Sequence, residues 1–150
     1  MICANLSSLI SNLVIEATPV EFRRAYQWLE KQAATFGMPS EQLYRMDSCL
    51  SETLANVLDH GGEAAHAAPI VLQLQCLRDE NSSKALLTIS STGPQFDPFK
   101  VTLPPSPTAL DQAFPGGLGL LMLRRFSDTQ SYQYYEGRNH LTFTVHWKEN

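Results

Sequence analysis

The chain has 150 residues, of which 43% are hydrophobic and 17% charged, and a net charge of −4. This length and apolar content predict one globular domain over residues 1–150, with a core that needs no disulfide staples, and exclude a disordered chain. The acidic balance argues against nucleic acid or an anionic membrane as the main partner, and no apolar run is long enough to span a bilayer.

The N-terminal Met1-Ile-Cys-Ala-Asn5 lacks the basic region of a secretory signal, which points to the cytoplasm. Cys3, Cys49 and Cys76 show no metal-ligand spacing and read as free thiols in a reducing compartment. Asn12-Leu-Val-Ile-Glu16 is β-rich and predicts an edge strand. Thr18-Pro19-Val20-Glu21 is a capping box with proline at the first helical position. The helix it opens carries Phe22, Ala25, Tyr26, Leu29, Ala33 and Phe36 on one face and ends at Gly37. Met38-Pro39 breaks the chain, and Ser40 is the expected cap of a second helix, from about Glu41 to Asp59 or His60, stopped by Gly61-Gly62.

This second helix places Leu43, Met46, Leu50, Leu54 and Val57 on its apolar side. On the other side Glu52, Asn56 and His60 follow at four-residue steps. Each step rotates the side chain by only about 40°, so the three form one polar stripe. A carboxylate, a carboxamide and an imidazole in a row can hold a metal-bound polyphosphate and a nucleophile. Taken alone, the same stripe is also what the solvated face of an amphipathic helix looks like.

Glu63 to Ala68 reads as a loop, with His66 exposed. Ile70 to Leu77 and Lys84 to Ser90 alternate as strands around the polar turn Asp79-Glu-Asn-Ser-Ser83, giving an antiparallel hairpin with Cys76 as a small buried side chain. From Ser91 to Gly119 regular structure is largely excluded, because six of the nine prolines lie there. A connection this long suggests a lid over a site, about residues 94–115. It ends in Gly116-Gly117-Leu118-Gly119, directly before the apolar helix start Leu120 to Phe126, where backbone N–H groups and the helix dipole favour an anion. Tyr132 to Tyr135 and Leu141 to Trp147 form a last hairpin around Glu136-Gly-Arg-Asn139, with His146 on the solvent side. The element order predicts an α+β two-layer sandwich, with a mixed, mainly antiparallel sheet and helices on one face. The polar stripe, Ser90-Ser91 and the glycine-rich helix start then converge on one edge of the layers.

The order Glu52-x-x-x-Asn56-x-x-x-His60, then Ser91-Thr-Gly-Pro-Gln-Phe-Asp-Pro98, then Gly117-Leu118-Gly119 resembles the three boxes of the GHKL (Bergerat-fold) ATPases. Within that superfamily it is most similar to the small stand-alone serine/threonine kinases that act as bacterial anti-sigma factors, over nearly the whole chain. The resemblance implies Mg-ATP as cofactor. It implies Glu52 as the general base for an attacking hydroxyl and Asn56 as the Mg²⁺ ligand. His60 then lies near the phosphates, Ser91 and Gly93 at the adenine, and Gly117, Leu118 and Gly119 along the polyphosphate. Phosphoryl transfer asks mainly for positioning and charge neutralisation, which such a set supplies. The implied partners are a sigma-like factor and a small antagonist protein whose serine or threonine enters the Glu52 cleft. Family members commonly work as homodimers.

Two departures stand beside these matches. The middle box normally reads Asp-x-Gly-x-Gly, its aspartate accepting a hydrogen bond from the adenine amino group; here those positions hold Ser91 and Gln95. A hydroxyl loses the charge-assisted part of that bond, roughly 1–2 kcal/mol, and Gln95 is expected to crowd the base. Asp97 lies beyond the base-binding turn, and Ala113-Phe114-Pro115 carries none of the charges often found before the glycine box. Two function classes therefore follow: a protein kinase in a partner-switching system, or a non-catalytic binding module on the same fold. A third reading, a hydrolase using Cys49 or Ser51 with His60, lacks an orienting third group.

Overall fold

The computed structural model describes residues 7–100 and 123–149. Helix α1 (Pro19–Phe36) begins where the capping box places it, with Thr18 Oγ1 accepting from the Glu21 N–H at 3.4 Å. The return half of the box reaches further back, since Glu21 Oε1 accepts from the Glu16 N–H at 3.2 Å. Arg24 completes this corner by pairing with Glu21 at 2.8 Å and donating to Val14 O at 2.7 Å. The helix ends at Gly37, whose φ of 88° is open to glycine at little cost. Both Gly37 N–H and Met38 N–H return to Ala33 O at 2.9 Å.

Helix α2 (Ser40–Gly61) differs from expectation at its start. Pro39, not Ser40, is the cap residue, and no side chain caps the helix. The fixed φ of proline supplies the entry geometry, so Ser40 falls into the first turn. At the other end the expected loop is instead a single 3-10 turn over Gly62–His66.

Five strands form one sheet in the order β1-β2-β3-β5-β4. They are β1 (Ser8–Ile15), β2 (Ile70–Arg78), β3 (Ser82–Thr92), β4 (Thr129–Tyr135) and β5 (Arg138–Lys148). The expected class holds, and every described pairing is antiparallel. Strand β1 is an edge strand, as read. It starts earlier than its apolar run, because pairing from Ser8↔Leu77 to Ile15↔Ile70 recruits serines with no strand preference of their own.

One face of the sheet carries Leu72, Leu74, Leu87, Ile89, Phe143 and Val145, all buried under α1 and α2. Those helices contribute Ala25, Leu29, Ala33, Met46, Leu50 and Leu54 to the same core. The other face mixes exposed Ile10, Val14 and Val71 with polar pairs, in which Gln73 donates to Asn12 at 3.2 Å and the Thr88 and Thr142 hydroxyls meet at 2.9 Å. Among the described residues no helix is long and apolar enough to cross a membrane.

Two side-chain latches fix α2 over the sheet. Arg45 donates to Phe126 O at 2.9 Å and pairs with Asp128 at 2.8 Å, while Asp128 also accepts the His146 N–H at 2.7 Å. At the far end Thr92 Oγ1 donates to Ala64 O at 2.7 Å, joining the end of β3 to the turn after α2. Residues 123–126 are helical, in agreement with the helix expected there; Leu120 to Met122 lie outside the described residues. Replacing Gly37 with alanine forces a Cβ into the left-handed region, and a loss of about 1 kcal/mol is expected in urea unfolding, with an unchanged far-UV spectrum.

Candidate functional site

The C-terminal half of α2, the end of β3 with the turn after it, and the start of β5 enclose a pocket of about 390 Å³, its open mouth included. Helix α2 contributes Thr53, Asn56, Val57, His60 and Gly61, which share one face at helical spacing. Strand β3 and its turn contribute Ser91, Thr92, Pro94, Phe96 and Pro98, and β5 contributes Asn139 and Leu141. Among the described residues the lining holds no carboxylate, ammonium or guanidinium group.

Two of these side chains carry buried polar atoms that no group of the described residues satisfies, Thr53 Oγ1 and Asn56 Nδ2. An unpaired buried polar atom ordinarily costs about 1–3 kcal/mol, a cost that a ligand with a matching partner group would relieve. Ser91, at 6% exposure, is nearly as buried.

The turn after β3 is held by side chains from the last hairpin. Tyr134 OH donates to Gly93 O at 2.9 Å, and Asn139 Nδ2 donates to Pro94 O at 2.9 Å. Phe96 N–H donates to Asn139 Oδ1 at 2.9 Å, and Tyr132 OH donates to the same oxygen. Gly93 has a φ of 152°, and a Cβ there would lie 3.6 Å from Gly61 Cα, so helix end and turn approach across two glycines. Phe96 then stacks on His60, ring centroids 4.1 Å apart and planes 15° apart.

The described part of the expected lid is therefore pinned. Asp97 Oδ1 accepts from Phe99 N–H at 2.9 Å, Phe99 packs edge-on against Phe143, and Arg124 donates to Phe99 O. Asp97 thus caps the 3-10 turn Pro98–Lys100, which explains why it stands apart from the pocket. Residues 101–115 of the expected lid lie outside the described residues, as do Gly117, Leu118 and Gly119.

Of the polar stripe, Asn56 and His60 reach the pocket, and Ser91 lies opposite them. Glu52 is half-buried one turn earlier and is not among the lining residues. The reason is the drift of about 40° per step, which carries Glu52 just past the edge of the face that Thr53 to Gly61 present. Gln95 is exposed and outside the lining, so it does not crowd the pocket as expected. Gly93 shapes the turn without lining the pocket. Burial pushes the thiols of Cys49 and Cys76 up to about 12, which removes Cys49 as a nucleophile. Ser51 is exposed and nine residues from His60, half a rotation around the helix, so the hydrolase reading falls.

Thr53, Asn139, Tyr132 and Tyr134 were not legible as site residues. Thr53 had one signal, a hydroxyl interrupting the apolar spacing of Met46, Leu50 and Val57; the other three act across strands that sequence spacing does not connect.

A match to the family described as histidine kinase-like ATPase domain spans residues 15–145. The chain belongs to this family. It is 35% identical over 141 residues to the serine/threonine-protein kinase BtrW of Bordetella bronchiseptica, covering 94% of this chain and 96% of that protein. The GHKL assignment drawn from the boxes of this sequence thus holds for the chain. Two crystal structures share the fold. One holds the RsbU and RsbW domains of a Mycobacterium tuberculosis protein, with a TM-score of 0.64 and 16% identity, and this chain, 91% covered, spans 32% of its length. The other is the SiaB–SiaC complex from Pseudomonas aeruginosa, with a TM-score of 0.57, 14% identity and 94% and 91% coverage.

If Thr53 Oγ1 waits for a ligand, replacing Thr53 by the near-isosteric valine should leave the ligand-free protein equally or more stable. The same change should shrink the thermal shift produced by nucleotide. A large loss of stability without nucleotide would show that the hydroxyl has a structural partner.

Proposed function

We propose that this ATPase-family chain is a cytoplasmic serine/threonine protein kinase of the anti-sigma-factor type, which binds Mg-ATP and phosphorylates a protein antagonist in a partner-switching system. The observation that carries this reading is the pocket with two unsatisfied buried polar groups, Thr53 Oγ1 and Asn56 Nδ2, in a chain 35% identical to a serine/threonine-protein kinase.

The neutral lining suits the base of the nucleotide, with Ser91 at its edge, Gly93 in the turn beside it, and the Phe96 and His60 rings among its walls. The polyphosphate extends from there past Asn56, and the resemblance assigns Gly117, Leu118 and Gly119 to it. Among the described residues no cluster of three His, Cys, Asp or Glu is arranged for a metal. A Mg²⁺ ion at this site would take the Asn56 amide oxygen, phosphate oxygens and water as ligands, a set this hard and strongly hydrated ion prefers, and would supply charge neutralisation at the phosphates. Glu52, one turn away along α2, is placed to take the proton of the attacking serine or threonine hydroxyl. That oxygen bonds to the γ-phosphorus, the bond to the bridging oxygen breaks, and ADP leaves.

The chain acts as a single domain, residues 1–150. Its partners are a sigma-like factor and a small antagonist, and it works as a homodimer, without direct contact to nucleic acid or membrane. The absence of a carboxylate from the pocket favours one other reading, a binding module of the same fold with weakened nucleotide affinity.

Equilibrium binding with Mg-ATP and phosphotransfer to the antagonist separate the two. Glu52→Gln should lower phosphotransfer by roughly 10²–10⁴-fold while nucleotide affinity stays nearly unchanged, because a general base acts in the transition state. Asn56→Ala should weaken Mg-ATP binding itself by roughly tenfold or more. Wild-type protein that binds its partners but neither binds nor turns over Mg-ATP would establish the binding module instead.

A further inference from the structure

Resting on the nucleotide-binding reading above, we propose that this pocket takes purine nucleotides without discriminating a 6-amino from a 6-oxo group, so that inosine triphosphate is a ligand alongside ATP. The inference comes from which polar groups remain available inside the pocket. Asn139 is already engaged through both ends of its amide, with Phe96 N–H and Pro94 O, and the Thr92 hydroxyl donates to Ala64 O. With the Asn56 amide assigned to the Mg²⁺ ion, what remains to meet the edge of a base is the unpartnered Thr53 hydroxyl and the Ser91 hydroxyl.

A 6-amino purine presents a donor at position 6 beside an acceptor at N1. A 6-oxo purine presents the reverse, an acceptor at O6 beside an N1–H donor. A carboxylate facing position 6 only accepts, so it would pair with the amino group and repel O6. A hydroxyl turns its proton either way and satisfies both, and Thr53 and Ser91 are both hydroxyls. A site discriminates strongly when the wrong ligand leaves a buried group unpaired, and a rotatable O–H is paired with either base. The rest of the pocket reads only shape. Val57, Pro98 and Leu141 are apolar walls, and the Phe96 and His60 rings, stacked on each other, also line the pocket. A one-ring pyrimidine covers less of these walls than a two-ring purine does.

The test is isothermal titration of the full chain with Mg²⁺ and each of ATP, ITP and CTP; ITP carries the same sugar and phosphates as ATP and differs at position 6 and in the proton at N1. Dissociation constants for ATP and ITP within about tenfold of each other, with CTP weaker than both by more than about tenfold, support the proposal. Ser91→Asp should then raise the preference for ATP over ITP by about tenfold or more, while Thr53→Val should weaken both alike. If Ser91→Asp does not fold by circular dichroism, the wild-type ratio still decides. A wild-type preference for ATP over ITP beyond about tenfold overturns the proposal and leaves the nucleotide-binding reading standing. CTP binding within about tenfold of the purines shows that the base makes no selective contact and also overturns it. No binding of any triphosphate overturns both readings together.

Discussion

Beyond Thr92 the chain leaves the sheet with few backbone partners of its own, and the β4–β5 hairpin supplies them through side chains. Tyr134 holds Gly93 O, and Asn139 holds both Pro94 O and Phe96 N–H, with Tyr132 bound to the same Asn139 oxygen. Without this bracing neither the turn nor Phe96 would stand opposite the end of α2, and there would be no pocket between them. Strand order makes the arrangement possible, because β5 lies beside β3 and the start of β5 meets the end of β3, with Arg138 opposite Thr92. Arg138 adds to the same corner by donating to Ser90 Oγ at 2.8 Å and Pro69 O at 2.7 Å.

The electrostatic character of the site follows from its place in the fold. It opens between a helix end and a strand end at the rim of a dry core, where an unpaired charge would be costly. Its walls are accordingly hydroxyls, amides, prolines and rings. A neutral pocket can grip a base but cannot balance a polyphosphate. Under the kinase reading the charged end of the ligand has to be met elsewhere, by backbone N–H groups at a helix start and by the ion the phosphates bring with them. Under that reading the division of labour is spatial, with the base read inside and the phosphates outside.

Much of this was legible in the sequence, for local reasons. Thr18 to Gly37 carries its own start and stop signals, and the alternation in Ile70 to Cys76 and Leu141 to Trp147 sets which face is buried. The three boxes gave the family, and Asn56, His60 and Ser91 are three of the twelve residues that line the pocket. Failures came where tertiary context overrode a local rule. Pro39 took the capping position from Ser40, and pairing to β2 drew Ser8 to Ser11 into β1. Composition made the Pro-rich segment 94–115 a lid, yet its described residues 94–100 are held by a tyrosine and an asparagine from distant strands and an arginine from the helical residues 123–126. Thr53 was hidden because a hydroxyl on an apolar helix face has no signature until its surroundings are known.

Hydrogen exchange followed by mass spectrometry, with and without saturating Mg-ATP, tests most directly whether the space between α2 and the turn after β3 is the nucleotide site. Protection should rise in peptides covering residues 53–62 and 91–98 and stay unchanged in the edge strand 8–15. Nucleotide binding that protects neither segment, or only the opposite end of the sheet around Arg78, Lys84 and His146, would contradict this placement.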